Sequence, residues 1–497
     1  MKRVSDIAIL TTGKVLLVIT SIISIRIFTT LISPYEVGRL NILSVIYGWF
    51  GLMFIAPVGT YVNRKIIEWD RKGLARKHLG SVLTYFLLLT IFAIMTVLGL
   101  RGFIGIDIKI IWILLLTTGS IMLTNGNNSF LGWINLFGKR FCFVFLSVLT
   151  IWLGLGFSIL FAINISPTAE YWLIGHLIAQ GCIFILAIVV LFRSLNKTSS
   201  VEMKETDNSF SLPVVFSFAW PFAISSFFYW IQSQGYQFAF KKLTDLEMLG
   251  LFTVGLGVGN KLMIPFEDLF NQYYRPIFYN EIADSNEAQR TEAWNKYAMV
   301  FFPAVVLMVA YIAMNGSLIA KIFTGERFHG VGCVILWGSV AGGLQMIASV
   351  IALVSHAQFK TKSLIVPAIT LACVSLIGIF LLVPWNAFMG GGIALSMGWL
   401  IYLIHLYANM KRQLPIKIPW KRIYYSVFLS GPLIIFSPII YRIAYKISIP
   451  QALVILFVSG LYWLFAQFIL ARKWLSLPIK MALVDDFETK VKMFFYR

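Results

Sequence analysis

The chain has 497 residues, 59% of them hydrophobic and only 12% charged, with a mean hydropathy of +0.83. Soluble domains carry roughly 25% charged residues, so a soluble enzyme or binding module is excluded and an integral membrane protein is required. The net charge of +20 would otherwise suggest a nucleic-acid partner, but the basic residues follow membrane sidedness and no nucleic acid is expected.

Apolar runs of about 20 residues, the length a spanning helix needs, recur from end to end. Barrel strands would alternate apolar and polar over about 10 residues, and they do not occur. The runs predict an all-α integral membrane protein with about 14 transmembrane helices, near 6–32, 34–62, 80–100, 108–131, 141–164, 171–192, 213–240, 245–275, 297–320, 331–356, 362–384, 388–410, 423–442 and 449–471. The first run is too long for a signal-peptide core and no cleavage site follows, so it reads as an uncleaved span. With both termini in the cytoplasm, cytoplasmic segments collect about 29 Lys and Arg and external ones about 9. The densest clusters are Arg64, Lys65, Arg71, Lys72, Arg76 and Lys77, then Lys411, Arg412, Lys417, Lys421 and Arg422. Both fall on the cytoplasmic side, where anionic membrane lipids attract them.

In chain order, the first span carries Lys14 and Arg26, about 12 Å and 9 Å from its inner and outer ends. Both can snorkel to an interface, so cavity-lining and interfacial readings stand side by side. "SPYE" follows at 33–36: Ser33 suits an N-cap, Pro34 the first helical position and Glu36 the third, a capping box that starts the second span. The fourth span is polar at Asn125 and Asn128. Residues 193–212 form a polar linker after six spans. The seventh span is polar at Tyr229, Gln232 and Tyr236, and the tenth at Gln345. Interhelical hydrogen bonds explain any one of these, while together they favour a hydrated cavity.

The eighth span opens on Thr244 and Glu247, a second box of the S/T-x-x-E type, one residue out of step with the first. Phe28 and Phe240, Leu31 and Leu243, and Gly38 and Gly250 share one offset, 212 residues. The repeat predicts two six-helix bundles related by a pseudo-twofold along the membrane normal, plus two C-terminal helices. The expected domains are 1–192, a linker at 193–212, a second bundle at 213–410, two further spans at 411–471, and an amphipathic cytoplasmic tail at 472–497. Lys261 lies about 24 Å and 21 Å from the two ends of the eighth span, too deep for snorkelling. Asp268 and Arg275 follow it by 7 and 14 residues and stay near the same face, with Glu267 adjacent. Either the carboxylates merely neutralise Lys261, or the stripe binds ligand and a proton or ion modulates it. Pro265 predicts a kink. "GLGVGN" at 255–260 reads as close helix packing, not a nucleotide loop, because no soluble βαβ unit surrounds it. The four cysteines and five histidines show no metal-ligand spacing, and no metal or cofactor is expected.

"TLISPYEVGRL", its echo "KLTDLEMLGLF", the length and the layout resemble the polysaccharide-type branch of the multidrug/oligosaccharidyl-lipid/polysaccharide (MOP) exporter superfamily. Within it the chain looks most like Wzx-type flippases of O-antigen and capsule repeat units, and lipid II flippases are cousins. The resemblance implies a bacterial inner-membrane flippase moving an undecaprenyl-pyrophosphate-linked oligosaccharide from the inner to the outer leaflet. It implies H+ or Na+ coupling, a polymerase and a chain-length regulator as partners, and a cationic cavity to which Lys14, Arg26, Lys261 and Arg275 contribute. A cation-coupled multidrug exporter is the alternative within the superfamily; its cavity should be acidic, whereas basic residues dominate mid-span here. A membrane glycan polymerase or ligase should expose a sizeable external loop, and the external loops here are short.

Overall fold

The computed structural model describes residues 2–100, 102, 109–195, 212–282, 286–357 and 361–474. Among these the chain is helical with no strand. In a hydrocarbon solvent an α-helix satisfies every backbone group within one segment, which is why each apolar run takes this form. The helices are α1 (Lys2–Leu31), α2 (Pro34–Phe50), α3 (Ala56–Arg71), α4 (Ala75–Gly99), α5 (Ile110–Thr118), α6 (Gly126–Leu136), α7 (Arg140–Asn164), α8 (Ala169–Ser194) and α9 (Leu212–Trp230). They continue with α10 (Tyr236–Leu243), α11 (Leu246–Ile282), α12 (Glu287–Phe323), α13 (Gly332–Ala357), α14 (Ile365–Leu382), α15 (Ala387–Lys411), α16 (Trp420–Leu429), α17 (Gly431–Ala444) and α18 (Ile449–Trp474).

Every predicted span is occupied by helix. Among the described residues, eleven helices are long and apolar enough to cross a membrane, or twelve if α16 and α17, bent by 40°, count as one. The count of 14 is met to that extent only. The linker from 196 to 211 and the tail from 475 lie outside the described residues.

Several boundaries differ from the predicted ones. The second span runs on to Arg71, because Glu68 pairs with Lys65 at 2.8 Å and with Lys72 at 2.9 Å along one helix face. The eighth runs on to Ile282, helical on both sides of Pro265, and the ninth begins ten residues early at Glu287. Three spans contain a π-helical turn: Gly51–Ile55 between α2 and α3, Gly119–Asn125 between α5 and α6, and Ile231–Gly235 between α9 and α10. Each has glycine at one boundary, where the ordinary helix is weakest.

Packing divides the chain into two compact units. The first comprises residues 1–254, 323–329 and 368–398; the second comprises 255–322, 330–367 and 399–497. In the first unit, Ile32, Val37, Leu155, Ala162, Trp172 and Phe328 form a closed apolar cluster around the start of α2. In the second, α12 is central: Trp294, Phe301, Phe302, Leu307 and Leu318 are essentially sealed. Ala310, Met314 and Leu318 pack there against Leu433, Ile440, Ala444 and Ala452 of α17 and α18. Lys321 donates to the carbonyls of Ala444, at 2.9 Å, and Ile447, closing the end of α17 with a cation.

Candidate functional site

Two features stand out, one in each unit. In the second unit, α11 shows two unlike faces. Gly255 and Gly259 press it against α13, next to Val334, Ile335 and Ser339. The other face is open. A side-chain carbon at Gly257 would meet nothing within 4 Å, and Asn260, Lys261 and Ile264 are exposed. These positions recur at three- and four-residue steps, the period of one helical face. An ammonium near the middle of a spanning helix is tolerated where it meets a wet cavity, not lipid tails. Further along α11, the Ser349 hydroxyl of α13 donates to Glu267 Oε1 at 3.0 Å. Asp268 is half-buried, as is Gln345, one turn before Ser349.

In the first unit, all three π-helical turns pack with α2, and those at Gly51–Ile55 and Gly119–Asn125 also contact each other. They gather polar groups inside the membrane. The Asn125 amide donates to the Ser120 carbonyl at 2.8 Å, spanning its own π turn. Thr124 donates to Gln180 of α8. Trp230 donates to the Val45 carbonyl at 3.1 Å. The Gln234 side-chain oxygen lies against Gly48, and that of Asn125 against Gly51, one turn further along. Of the remaining polar candidates, Gln232 and Tyr236 are buried, and Tyr236 meets Phe252 edge-on at 6.2 Å. Asn128 and Tyr229 are exposed.

One end of the first unit is knit by charges and close backbone contact. Arg26 donates to the Thr324 carbonyl, and the Gly325 N–H donates to Thr29 Oγ1 at 2.8 Å. The side chains of Lys14 and Arg275 lie outside the described residues. Two charges that the sequence reading passed over are central here. Arg39 bridges Glu36, at 2.9 Å, and Glu170, all three largely buried. Glu36 also accepts the Ala169 N–H at 2.8 Å, capping α8. The signal was present: Arg39 lies inside an apolar run, only five residues into the second span.

The capping boxes need correction. Ser33 does cap α2, accepting the Glu36 N–H at 3.4 Å, but the Glu36 carboxylate serves α8 instead of reaching back. The cap of α11 is Asp245, not Thr244. Asp245 Oδ1 accepts the Met248 N–H at 2.7 Å, while the Thr244 hydroxyl donates back to Phe240. This shift removes the one-residue mismatch, since Ser33 and Asp245 obey the same 212-residue offset as Gly38 and Gly250. The offset also governs contacts. Gly38 packs on the Leu246 backbone, and Gly250 on the Pro34 backbone. Asn41 donates to Thr253, 212 residues away, at 2.5 Å. Residues paired by the offset thus touch reciprocally, the pattern of a local twofold contact.

Neither a known sequence family nor a curated protein matches the chain. Solved structures do. The chain resembles the lipid II flippase MurJ in an inward closed conformation, with a TM-score of 0.69 at 13% identity, covering 94% of this chain and 99% of that one. It resembles an inward-facing multidrug resistance MATE transporter of the MOP superfamily with a TM-score of 0.57 at 13% identity, covering 81% and 94%. The chain shares the all-helical fold of these two structures.

Proposed function

We propose that the protein flips an anionic lipid-linked glycan, an undecaprenyl-pyrophosphate-linked O-antigen or capsule repeat unit, from the inner to the outer leaflet by alternating access. The observation that carries this reading is Lys261, a cation on the open face of a spanning helix. A pyrophosphate is the natural counter-ion for such a group. At 4 Å and an effective dielectric constant of 20, each charge pair contributes about 4 kcal/mol. The likeness to a lipid II flippase over nearly the whole chain supports the same reading. In this proposal the chain has 14 spans in two six-helix bundles plus two, resides in a bacterial inner membrane with both termini cytoplasmic, and works beside a polymerase and a chain-length regulator. Coupling to H+ or Na+ runs through Glu267 or Asp268, with Lys14, Arg26 and Arg275 completing the cationic set.

Reconstitution in vesicles tests it. Lys261→Ala should lower flipping of a fluorescent pyrophosphate-linked glycan lipid by at least about 100-fold, with folded protein unchanged. Lys261→Arg should retain part of the activity. Full activity of the alanine variant would overturn the proposal. The likeness to a multidrug transporter keeps a second reading in view, and uptake of a cationic dye by the same vesicles, indifferent to Lys261, would favour it.

A further inference from the structure

We propose that the cleft between α11, α12, α16 and α18 in the second unit binds one anionic glycerophospholipid from the leaflet that faces the basic segment 411–422. The cleft measures about 300 Å³, at the small end of the range for ligand sites. This site is separate from the open stripe around Lys261 and does not depend on the transported substrate.

Three observations lead to a lipid of this class. First, the walls fit an alkyl chain. Phe266, Phe270 and Tyr274 rise along α11 at one-turn intervals, with centroids 4.9 Å and 5.6 Å apart, and Trp463 of α18 faces Phe266 at 6.3 Å. Second, the cleft carries charge at one end. Arg422 lines it and is fixed by donating to the Met299 carbonyl at 3.1 Å. It belongs to a segment, 411–422, holding five Lys and Arg and no Asp or Glu. Trp420 and Tyr424 beside it are 57% and 68% exposed, as aromatic residues are at a membrane interface. Third, the wall contains a buried donor without a partner: the Trp463 indole N–H has none among the described residues. Gln467 on the same helix spends its amide on the Ala304 carbonyl at 3.1 Å. Leaving a buried N–H unpaired is costly; the nitrogen is sealed as the ring stands, so an ester carbonyl of the lipid supplies the acceptor only once the indole turns toward the cleft.

Chain and phosphate thus meet apolar wall and guanidinium, and the indole donor serves the ester once the ring turns. A free phosphate would leave the aromatic wall unused. A zwitterionic lipid would gain less from the five cations, because its own ammonium opposes them.

The test uses the full chain, purified and delipidated, with native mass spectrometry under addition of phosphatidylglycerol or phosphatidylcholine of matched acyl chains. The expected result is one phosphatidylglycerol retained about fivefold or more tightly than phosphatidylcholine. Arg422→Gln should remove the preference for phosphatidylglycerol. Ala304→Phe, which fills the cleft, should abolish retention of both lipids. Arg442→Gln, which removes a cation from the far end of the same bent helix pair, should change neither. Gel filtration confirms that each variant remains folded. Equal retention of the two lipids by the wild type would overturn the proposal, as would unchanged retention in both cleft variants. Displacement of phosphatidylglycerol by an equimolar polyprenyl diphosphate would assign the cleft to the carrier chain and overturn it as well.

Discussion

At the residue scale, the charges inside the spans divide by what they touch. Arg39 is enclosed by Glu36 and Glu170, and Lys321 is absorbed by carbonyls at the end of α17. Arg26 holds the Thr324 carbonyl. Lys261 faces open space. Depth in the span singled out Lys261 in the sequence, because no snorkelling path exists from mid-helix. The same criterion passed over Arg39, whose partners come from its own helix turn and from a residue 131 positions away. Removing one member of such a buried cluster leaves the others uncompensated, typically at 3–5 kcal/mol. Arg39→Met should therefore lower the thermal transition of the detergent-solubilised protein markedly, while Arg64→Met on the polar extension of α3 should leave it nearly unchanged. Equal transitions for the two variants would show that the Arg39 cluster is solvated and dispensable.

At the element scale, α2 and α11 meet through residues that share the 212-residue offset. Glycine at 38 and at 250 lets each backbone approach the other, and any side chain there would overlap the facing carbonyl. The glycines and their spacing were legible in the sequence, but the cap of α11 was not. Thr244 and Asp245 are both acceptable N-caps, and only the observed bond to the Met248 N–H decides between them. The three π turns were equally hidden, because a one-residue widening of a helix leaves the apolar pattern nearly intact. Asn41 and Thr253 offer a direct test of the crossing. In a background lacking the four native cysteines, Asn41→Cys with Thr253→Cys should oxidise to an intramolecular disulfide, and transport should stop until reductant is added. No cross-link under mild oxidation would mean that the two helices do not meet at this register in the membrane.

For the whole molecule, sidedness is the most direct check on the proposed arrangement. Single cysteines at Asn386 and Ser199 should react with an impermeant maleimide from opposite sides of the membrane, Asn386 from outside and Ser199 only after permeabilisation. Labelling of both from outside would overturn the layout. The sequence by itself determined the solvent, the all-helical class and the position of nearly every helix, because apolar length and backbone satisfaction act locally and leave the chain few alternatives. It also offered Lys261 as a candidate and showed the 212-residue offset, since depth in a span and a constant offset can be counted along a line. Tertiary structure alone decided which face of α11 is packed and which is open, that Glu36 caps α8 instead of its own helix, and that Arg39 is paired. Those outcomes depend on residues far apart in the chain meeting in space, and in a low-dielectric interior it is the partner, not the residue type, that decides whether a charge is structural or available to a ligand.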